Sequence, residues 1–192
     1  MLFRSRRGEL FGEPAVVARV DQLGVPGFVV YLATTAADRV ANALVERGVT
    51  VAAPEAVETI RIEVGYPVFG ADMSEDIIPL EAGIEGRAIS LTKGCYVGQE
   101  VIIRILHRGH GRVARKLVAL RIDGAVPSPG TRLLAGDQDV GFVTSASLSP
   151  TMGSIALGYV HRDHADPGSR LAVAGTPPVT ATVTTTPMSS AS

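Results

Sequence analysis

Cysteine, tryptophan and net charge are scarce in this chain of 192 residues. It has one cysteine, Cys95, and no tryptophan. A single cysteine cannot form a disulfide within the chain, which fits a reducing compartment, and we expect the cytoplasm. Because aromatic residues make up 5% of the chain, a flat ligand would have to stack against Tyr or Phe.

Long apolar runs are also lacking. None approaches the roughly 20 residues that a membrane-spanning helix needs, and the formal net charge of −1 excludes a strong general attraction to nucleic acid. We therefore predict neither a membrane nor a nucleic-acid partner. Hydrophobic residues at 46% suffice for a folded core, and the length allows one large or two small domains.

The first third of the chain alternates between strand and helix patterns. β-Branched and aromatic residues predict strands at Val16–Val20 and Phe28–Leu32. Helical spacing predicts a helix from Thr35 to Arg47, a short strand follows at Val49–Ala52, and a second helix begins at Pro54. The order β-β-α-β-α resembles a ferredoxin-like α+β unit.

The charge and composition of the middle of the chain change twice. Residues 65–92 are acidic and rich in Gly and Pro, which predicts a surface wrap without a long helix. A basic stretch follows, from Arg104 to Lys116. It is interpreted either as a solvated helix face or as a binding face for a polyanionic tail or an acidic partner.

Six short strands separated by turns are predicted in the last third, which is typical of a small barrel or sandwich. The predicted strands are Lys116–Ile122, Thr131–Leu134, Asp139–Thr144, Ser154–Val160, Arg170–Val173 and Val179–Thr185. The fold class is therefore α+β, with a C-terminal six-stranded β-barrel. We place the domains at residues 1–111 and 112–188.

The segment Lys93–Glu100, with the sequence KGCYVGQE, has the composition of a site. Lys93 lies two residues from Cys95, and a helix that begins after Gly98 would direct its first N–H groups toward the loop. Both effects stabilise a thiolate. The alternative is that Cys95 is a small buried hydrophobe and Glu100 only a helix-start acid.

Metal binding has weak support in the sequence. His107 and His110 are three residues apart, as are His161 and His164. Glycines interrupt the first pair, and zinc sites usually have closely spaced cysteines, so we predict no metal site. Cys95 alone cannot hold an iron–sulfur cluster, although it could share one with a partner.

A second group of candidate site residues lies at the end of the second predicted helix. Arg61 and Glu63 are followed by a Gly/Pro-rich turn that ends at Asp72. An arginine can hold a carboxylate through two parallel hydrogen bonds, so the pair could orient an anionic or heterocyclic ligand. The alternative is a surface ion pair at a helix terminus.

Five sequence motifs, taken in order, resemble those of a known family. They are RIEVGYPVFGAD, IPLEAGIEG, KGCYVGQE, VGFVTSASLSP and IALGYV. The chain resembles the YgfZ group of folate-binding proteins, which are relatives of the T-protein (aminomethyltransferase) of the glycine cleavage system. The resemblance runs from about Arg19 to Val183, and KGCYVGQE is its most specific part.

The resemblance implies an aminomethyltransferase fold around a channel that binds tetrahydrofolate. It also implies a role in the assembly or repair of iron–sulfur proteins, with client or assembly proteins as partners. Cys95 would be the reactive thiol in that role. The folate-binding residues would be Arg61, Glu63, Lys93, Tyr96, Gln99 and Glu100.

Two departures from the family pattern leave alternatives open. The N-terminal module of the family has no counterpart before Met1, so a fragment, a mispredicted start or a separate chain that supplies this module is expected. Val25 and Val29 stand where the T-protein has glutamates that face folate, which argues against aminomethyl transfer. The alternatives are a T-protein-like aminomethyltransferase and an interaction module without folate binding, and enzyme activity stays open.

Overall fold

A computed structural model describes residues 5–20, 23, 26–90, 92–108, 112–175, 177 and 179–188. The chain divides into two compact units, with the boundary between Val57 and Glu58. We describe each unit separately. The predicted domain boundary between residues 111 and 112 stays a prediction.

The first unit contains a three-stranded antiparallel sheet in the order β1-β2-β3. The strands are β1 (Ser5–Leu10), β2 (Glu13–Val20) and β3 (Gly27–Leu32). Phe11 and Gly12 join β1 to β2 with φ values of 53° and 81°, as in a type I′ hairpin. β2 and β3 confirm two predicted strands. β1 was not predicted, because its sequence SRRGEL has no apolar alternation.

A 3₁₀ turn (Thr34–Ala36) and α1 (Ala37–Glu46) follow the sheet and confirm the first predicted helix. Ala36 and Val40 are its buried residues. The predicted strand at Val49–Ala52 is wrong: these residues are exposed and lie outside any strand. The second predicted helix is α2 (Pro54–Glu63), which starts in the first unit and ends in the second.

The second unit is built on a closed six-stranded antiparallel barrel, as predicted. Its strands are β4 (Arg115–Asp123), β5 (Arg132–Ala135), β6 (Gln138–Ser149), β7 (Gly153–His161), β8 (Arg170–Val173) and β9 (Val179–Thr184). They follow the order β4-β7-β6-β5-β8-β9, and β9 pairs with β4 to close the ring. The mixed α+β fold class is thus confirmed.

Strand β7 is buried on both of its faces. Val160 contributes to the cluster that fills the barrel, together with residues such as Leu120 and Val143. Ile155 belongs to a second cluster, where it packs with Ile62 of α2. Burying a large aliphatic side chain contributes about 1.5–3 kcal/mol. Ile62 is fully buried, so its burial anchors the end of α2 in the second unit.

The segment between α2 and the barrel contains two further helices, α3 (Glu85–Ala88) and α4 (Gln99–Arg108). Most of residues 65–92 forms turns, as predicted, but Asp72 and Glu81 are buried instead of lying at the surface. The backbone C=O of Glu81 accepts a hydrogen bond from Leu117 N–H at 2.8 Å. None of the helices in the described part of the chain is both long and apolar enough to span a membrane.

Candidate functional site

Alternate residues of β6 hold the end of α2 in place. Three serines of the β6 segment SASLS are separated by one residue each, and side chains at this spacing point to one face of a strand. The hydrogen bonds are Thr59 Oγ1 with Ser147 Oγ at 2.6 Å, Arg61 Nη2 with Ser145 Oγ at 2.7 Å, and Ser149 Oγ with Glu63 Oε1 at 2.6 Å. Three residues of one helix are thus bonded to three serines of one strand.

Arg61 lies at the centre of this arrangement and is buried. Nε and Nη2 donate to the two carboxylate oxygens of Glu58 at 2.7 and 2.5 Å. Nη1 donates to the backbone C=O of Tyr66 and to Asp72 Oδ2, both at 2.6 Å. With the bond to Ser145, these contacts match the five N–H groups of a guanidinium.

Asp72 balances the buried charge of Arg61. Its side chain is 0% exposed. Oδ2 also accepts from Val68 N–H at 3.1 Å, and Oδ1 accepts from Thr144 Oγ1 at 2.5 Å and Ser145 Oγ at 2.8 Å. Both carboxylate oxygens are therefore hydrogen-bonded, which offsets the loss of hydration.

A β-bulge lets two consecutive residues reach the same carboxylate. The pairing of β6 with β7 shifts between Val143 and Ser145, which makes Thr144 the extra residue. Neighbouring side chains of a regular strand point to opposite faces, and a bulge breaks that alternation. Both hydroxyls therefore bond Asp72.

The electrostatics of Arg61 reflect these contacts. Burial by itself lowers the pKa of the guanidinium, but the hydrogen bonds and charges of Glu58 and Asp72 outweigh it and raise the pKa above its ordinary value. Arg61 is therefore a permanent cation with its donors occupied. The surface ion pair considered from the sequence is replaced by a buried network, in which Arg61 pairs with Glu58 and Asp72.

Glu58 is the exposed member of this network. Its side chain is 46% exposed, whereas that of Arg61 is 6% exposed. An anionic ligand from solvent would meet Glu58 first and would have to displace it from Nε and Nη2. A direct contact between folate and Arg61 stays a prediction, and it requires this exchange.

The loop around Cys95 has a more open structure. Cys95 is exposed, which excludes the alternative of a small buried hydrophobe. Lys93 Nζ lies 5.0 Å from the centroid of the Tyr96 ring, and Tyr96 N–H donates to Gln99 Oε1 at 3.2 Å. Gln99 begins α4, and Glu100 is exposed in its first turn. The structure thus brings Lys93, Tyr96 and Gln99 into contact, and the roles of all five residues stay predictions.

Tyr159 of β7 is a functional candidate that the sequence did not reveal. It is 1% exposed, and its hydroxyl has no hydrogen-bond partner among the described residues. Burial raises the pKa of Tyr159 to about 12, and the charges of Asp72 and Glu81 add to the rise while Arg115 opposes it. The hydroxyl is therefore protonated at neutral pH and can donate a hydrogen bond.

Metal-binding geometry is absent from the described part of the chain, where no group of three His, Cys, Asp or Glu residues is placed to hold an ion. His161 and His164 are described, and Asp163 N–H donates to His161 Nδ1 at 3.5 Å. His110 and the side chain of His107 lie outside the described residues, as does Val25.

Sequence reasoning identified Arg61 and Glu63 but missed their partners. Asp72 was considered only as the end of a Gly/Pro-rich turn, and no functional role was predicted for Glu58. The signal was nonetheless present, because polar residues at every second position predict a polar face on a barrel strand. A strand that directs serines outward from a barrel must meet either solvent or a polar partner.

Comparison with known proteins identifies both parts of the chain. The profile described as the GCVT N-terminal domain matches residues 1–93, and that of the glycine cleavage T-protein C-terminal barrel domain matches residues 115–189. An aminomethyltransferase of Thermosynechococcus vestitus is 36% identical over 89% of this chain and 46% of its own length. One from Saccharopolyspora erythraea is 37% identical over 87% of this chain and 47% of its own length.

A solved structure shows the same fold. The crystal structure of glycine cleavage system aminomethyltransferase T from Bartonella henselae matches with a TM-score of 0.81 and 22% identity, covering 90% of this chain and 49% of that one. The chain spans about half the length of the relatives it matches. Their names support the aminomethyltransferase alternative better than the YgfZ interpretation. Because the two profiles together account for most of its length, the chain belongs to the superfamily of the glycine cleavage T-protein.

Proposed function

We propose that the chain binds tetrahydrofolate and takes part in one-carbon transfer of the aminomethyltransferase type. The observation that carries this proposal is the similarity to proteins named aminomethyltransferase, at 33–37% identity over 82–90% of this chain. The similarity spans both the α+β part and the barrel. It is therefore not the likeness of one common module.

The residues of the second unit fit a folate ligand in part. Glu63 is half-buried, and Ser149 donates to its Oε1. A carboxylate fixed in this way can accept N–H groups of a pterin ring through its other oxygen. Arg61 offers no spare donor while Glu58 holds it. The folate proposal therefore depends first on Glu63, and on Arg61 only after an exchange with Glu58.

Calorimetric titration of the full chain with tetrahydrofolate tests the proposal. We expect saturable binding that weakens about tenfold in Glu63→Gln, since a charge-assisted hydrogen bond contributes about 1.5–3 kcal/mol. Glu9→Gln, at an exposed position of β1, is the matched control. Absence of binding by the unmodified chain would refute the folate proposal and favour an interaction module without folate.

A turnover assay with tetrahydrofolate and an aminomethyl donor then separates transfer from binding alone. Turnover supports the aminomethyltransferase assignment. Binding without turnover supports an accessory role instead. The valine at position 29, where the T-protein is expected to have a glutamate, is the sequence feature that argues for the second outcome.

A YgfZ-like accessory role in iron–sulfur protein assembly is the second candidate, and the exposed thiol of Cys95 favours it. In this role Cys95 acts on clusters or on sulfur, and iron–sulfur client or assembly proteins are the partners. Lys93, Tyr96, Gln99 and Glu100 position the loop. The basic stretch from Arg104 attracts the glutamate tail of folate or an acidic partner.

Complementation tests this second candidate. The gene with Cys95→Ser is introduced into a strain that lacks its own homologue, beside the unmodified gene. We expect the unmodified gene to restore iron–sulfur enzyme activity and the variant to fail at equal protein level. Full restoration by the variant would exclude the role of the thiol.

A further inference from the structure

A cavity of about 460 Å³ lies in the second unit, between residues 69–77 and strands β6 and β7. Apolar and aromatic side chains line much of it, from Phe69, Met73, Ile77, Phe142 and Tyr159. The volume lies within the range of cavities that hold small molecules. Neither the folate proposal nor the Cys95 loop makes use of this cavity.

Tyr159 lines the cavity and carries an unpaired polar atom. The residue is almost fully buried, and its hydroxyl has no hydrogen-bond partner among the described residues. A buried hydroxyl without a partner is unfavourable, and folded proteins pair the large majority of such groups with protein, water or a bound molecule. Because Tyr159 lines the cavity, a molecule held there can supply the missing acceptor.

The charged residues that line the cavity are all acidic, and outside this lining the guanidinium of Arg115 lies 5.3 Å from the centroid of the Tyr159 ring. Asp72, Glu75 and Asp76 line it, and the lining includes no Lys or Arg. Arg61 offsets the charge of Asp72, whereas Glu75 and Asp76 are exposed. Acidic groups at a cleft concentrate cations. The faces of aromatic rings attract them as well.

We propose that this cavity binds a small organic cation. Its ammonium group lies beside Glu75 and Asp76 and against the phenyl rings of Phe69 and Phe142, and one of its oxygen atoms accepts a hydrogen bond from the Tyr159 hydroxyl. This site shares Asp72 with the Arg61 network but does not include Glu63, on which the folate proposal depends first. Loss of one activity therefore leaves the other measurable.

Choline and its uncharged isostere 3,3-dimethylbutan-1-ol form a matched pair of probes. Each is titrated into the isotopically labelled full chain while the aromatic NMR signals of Phe69 and Phe142 are followed. We expect choline to cause saturable shifts and the isostere to bind about tenfold more weakly, because only choline makes cation–π contacts. Equal binding of the two probes, or no saturable shift with choline, would overturn the proposal.

Tyr159→Phe removes only the hydroxyl, and Tyr31→Phe in β3 is the control outside the cavity. We expect choline binding to weaken about three- to tenfold in Tyr159→Phe. The thermal midpoint of the unliganded protein should not fall, because the hydroxyl has no partner to lose. Unchanged choline affinity, or a lowered midpoint from a lost internal partner, would contradict the role of this hydroxyl.

The role of the two exposed acidic residues is tested by the double variant Glu75→Gln/Asp76→Asn. Glu9→Gln/Asp38→Asn makes the same change of charge in the first unit. We expect choline binding to weaken about two- to fivefold in the first variant, with a smaller dependence on salt, and to stay unchanged in the second. Equal effects of the two variants would show general charge attraction and refute a specific site.

Discussion

Arg61 is buried with all five of its N–H groups engaged, whereas Cys95 is exposed in a loop that is bonded mainly to itself. Arg61 is fixed by hydrogen bonds to residues 3 to 11 positions away and by one to Ser145, 84 positions away. The Cys95 loop is fixed by neighbours such as Ser90 and Gln99. Both segments had the composition of a site, but burial and the number of hydrogen bonds distinguish the structural network around Arg61 from the accessible thiol of Cys95.

The two regions differ in the number of partners that their polar groups require. A buried guanidinium is stable only where several acceptors replace its water, so Arg61 needs Asp72, Glu58 and two further oxygens. An exposed thiol has no such requirement. The first region therefore determines stability, and the second is free to serve chemistry.

The largest expected effect comes from removing the buried countercharge. We expect Asp72→Ala to lower the free energy of unfolding by about 3–5 kcal/mol, because it leaves Arg61 buried with less compensation. Asp139→Ala is the matched control: it removes the partner of Arg132 in an exposed pair at 3.5 Å and should cost less than about 1 kcal/mol. Urea denaturation measures both. Similar losses in the two variants would remove the contrast between buried and exposed pairs.

The second effect concerns alkaline stability. The pKa of Tyr159 is raised to about 12 in the folded protein, mainly by burial, above the ordinary value of about 10. The unfolded chain therefore loses this proton first. This difference in pKa leaves stability unaffected below about pH 10 and lowers it as the pH rises toward 12, by about 2–3 kcal/mol in total.

Unfolding free energies of the unmodified protein and of Tyr159→Phe, measured from pH 8 to 11.5, test this linkage. We expect the unmodified protein to lose stability more steeply above pH 10 than the variant. Parallel curves would mean that the Tyr159 hydroxyl is not protected by its surroundings.

The smallest expected effect on stability belongs to the exposed loop. Cys95→Ser should change the free energy of unfolding by less than about 0.5 kcal/mol, as is usual at exposed positions.

Ser149→Ala should cost about 1–2 kcal/mol, because it removes a buried hydroxyl that donates to Glu63.

Thiol labelling with 5,5′-dithiobis(2-nitrobenzoate) completes this comparison. Cys95 is the only cysteine, so the whole signal comes from the loop. We expect the native protein to react at a rate similar to that of the unfolded chain. Labelling more than about tenfold slower in the native state would show that Cys95 is protected.

The sequence was informative where structure follows local periodicity. Alternating apolar residues located the six barrel strands, and helical spacing located α1 and α2. The strand expected at Val49–Ala52 failed because β-branched residues favour a strand only where a neighbouring strand pairs with them. β1 was missed for the opposite reason, since pairing with β2 gives it a strand conformation despite its polar sequence.

The candidate site was predictable only in part. Arg61, Glu63 and the Cys95 loop were identified from residue chemistry. The role of Asp72 was not, because its bonds reach Thr144 and Ser145, more than 70 residues away. The missing partner of the Tyr159 hydroxyl was also invisible, since it is a property of packing and not of any motif.

The bulge at Thr144 makes the length of β6 a determinant of the Arg61 network. Successive side chains of a strand point to opposite faces. Gain or loss of one residue therefore moves every later side chain of the strand to the opposite face. Beyond Thr144, one such event would turn the three serines of β6 away from α2 together, whereas a substitution removes one bond at a time. Substitutions can therefore change the hydrogen bonds of this strand one at a time, but a change in its length acts on the whole network at once.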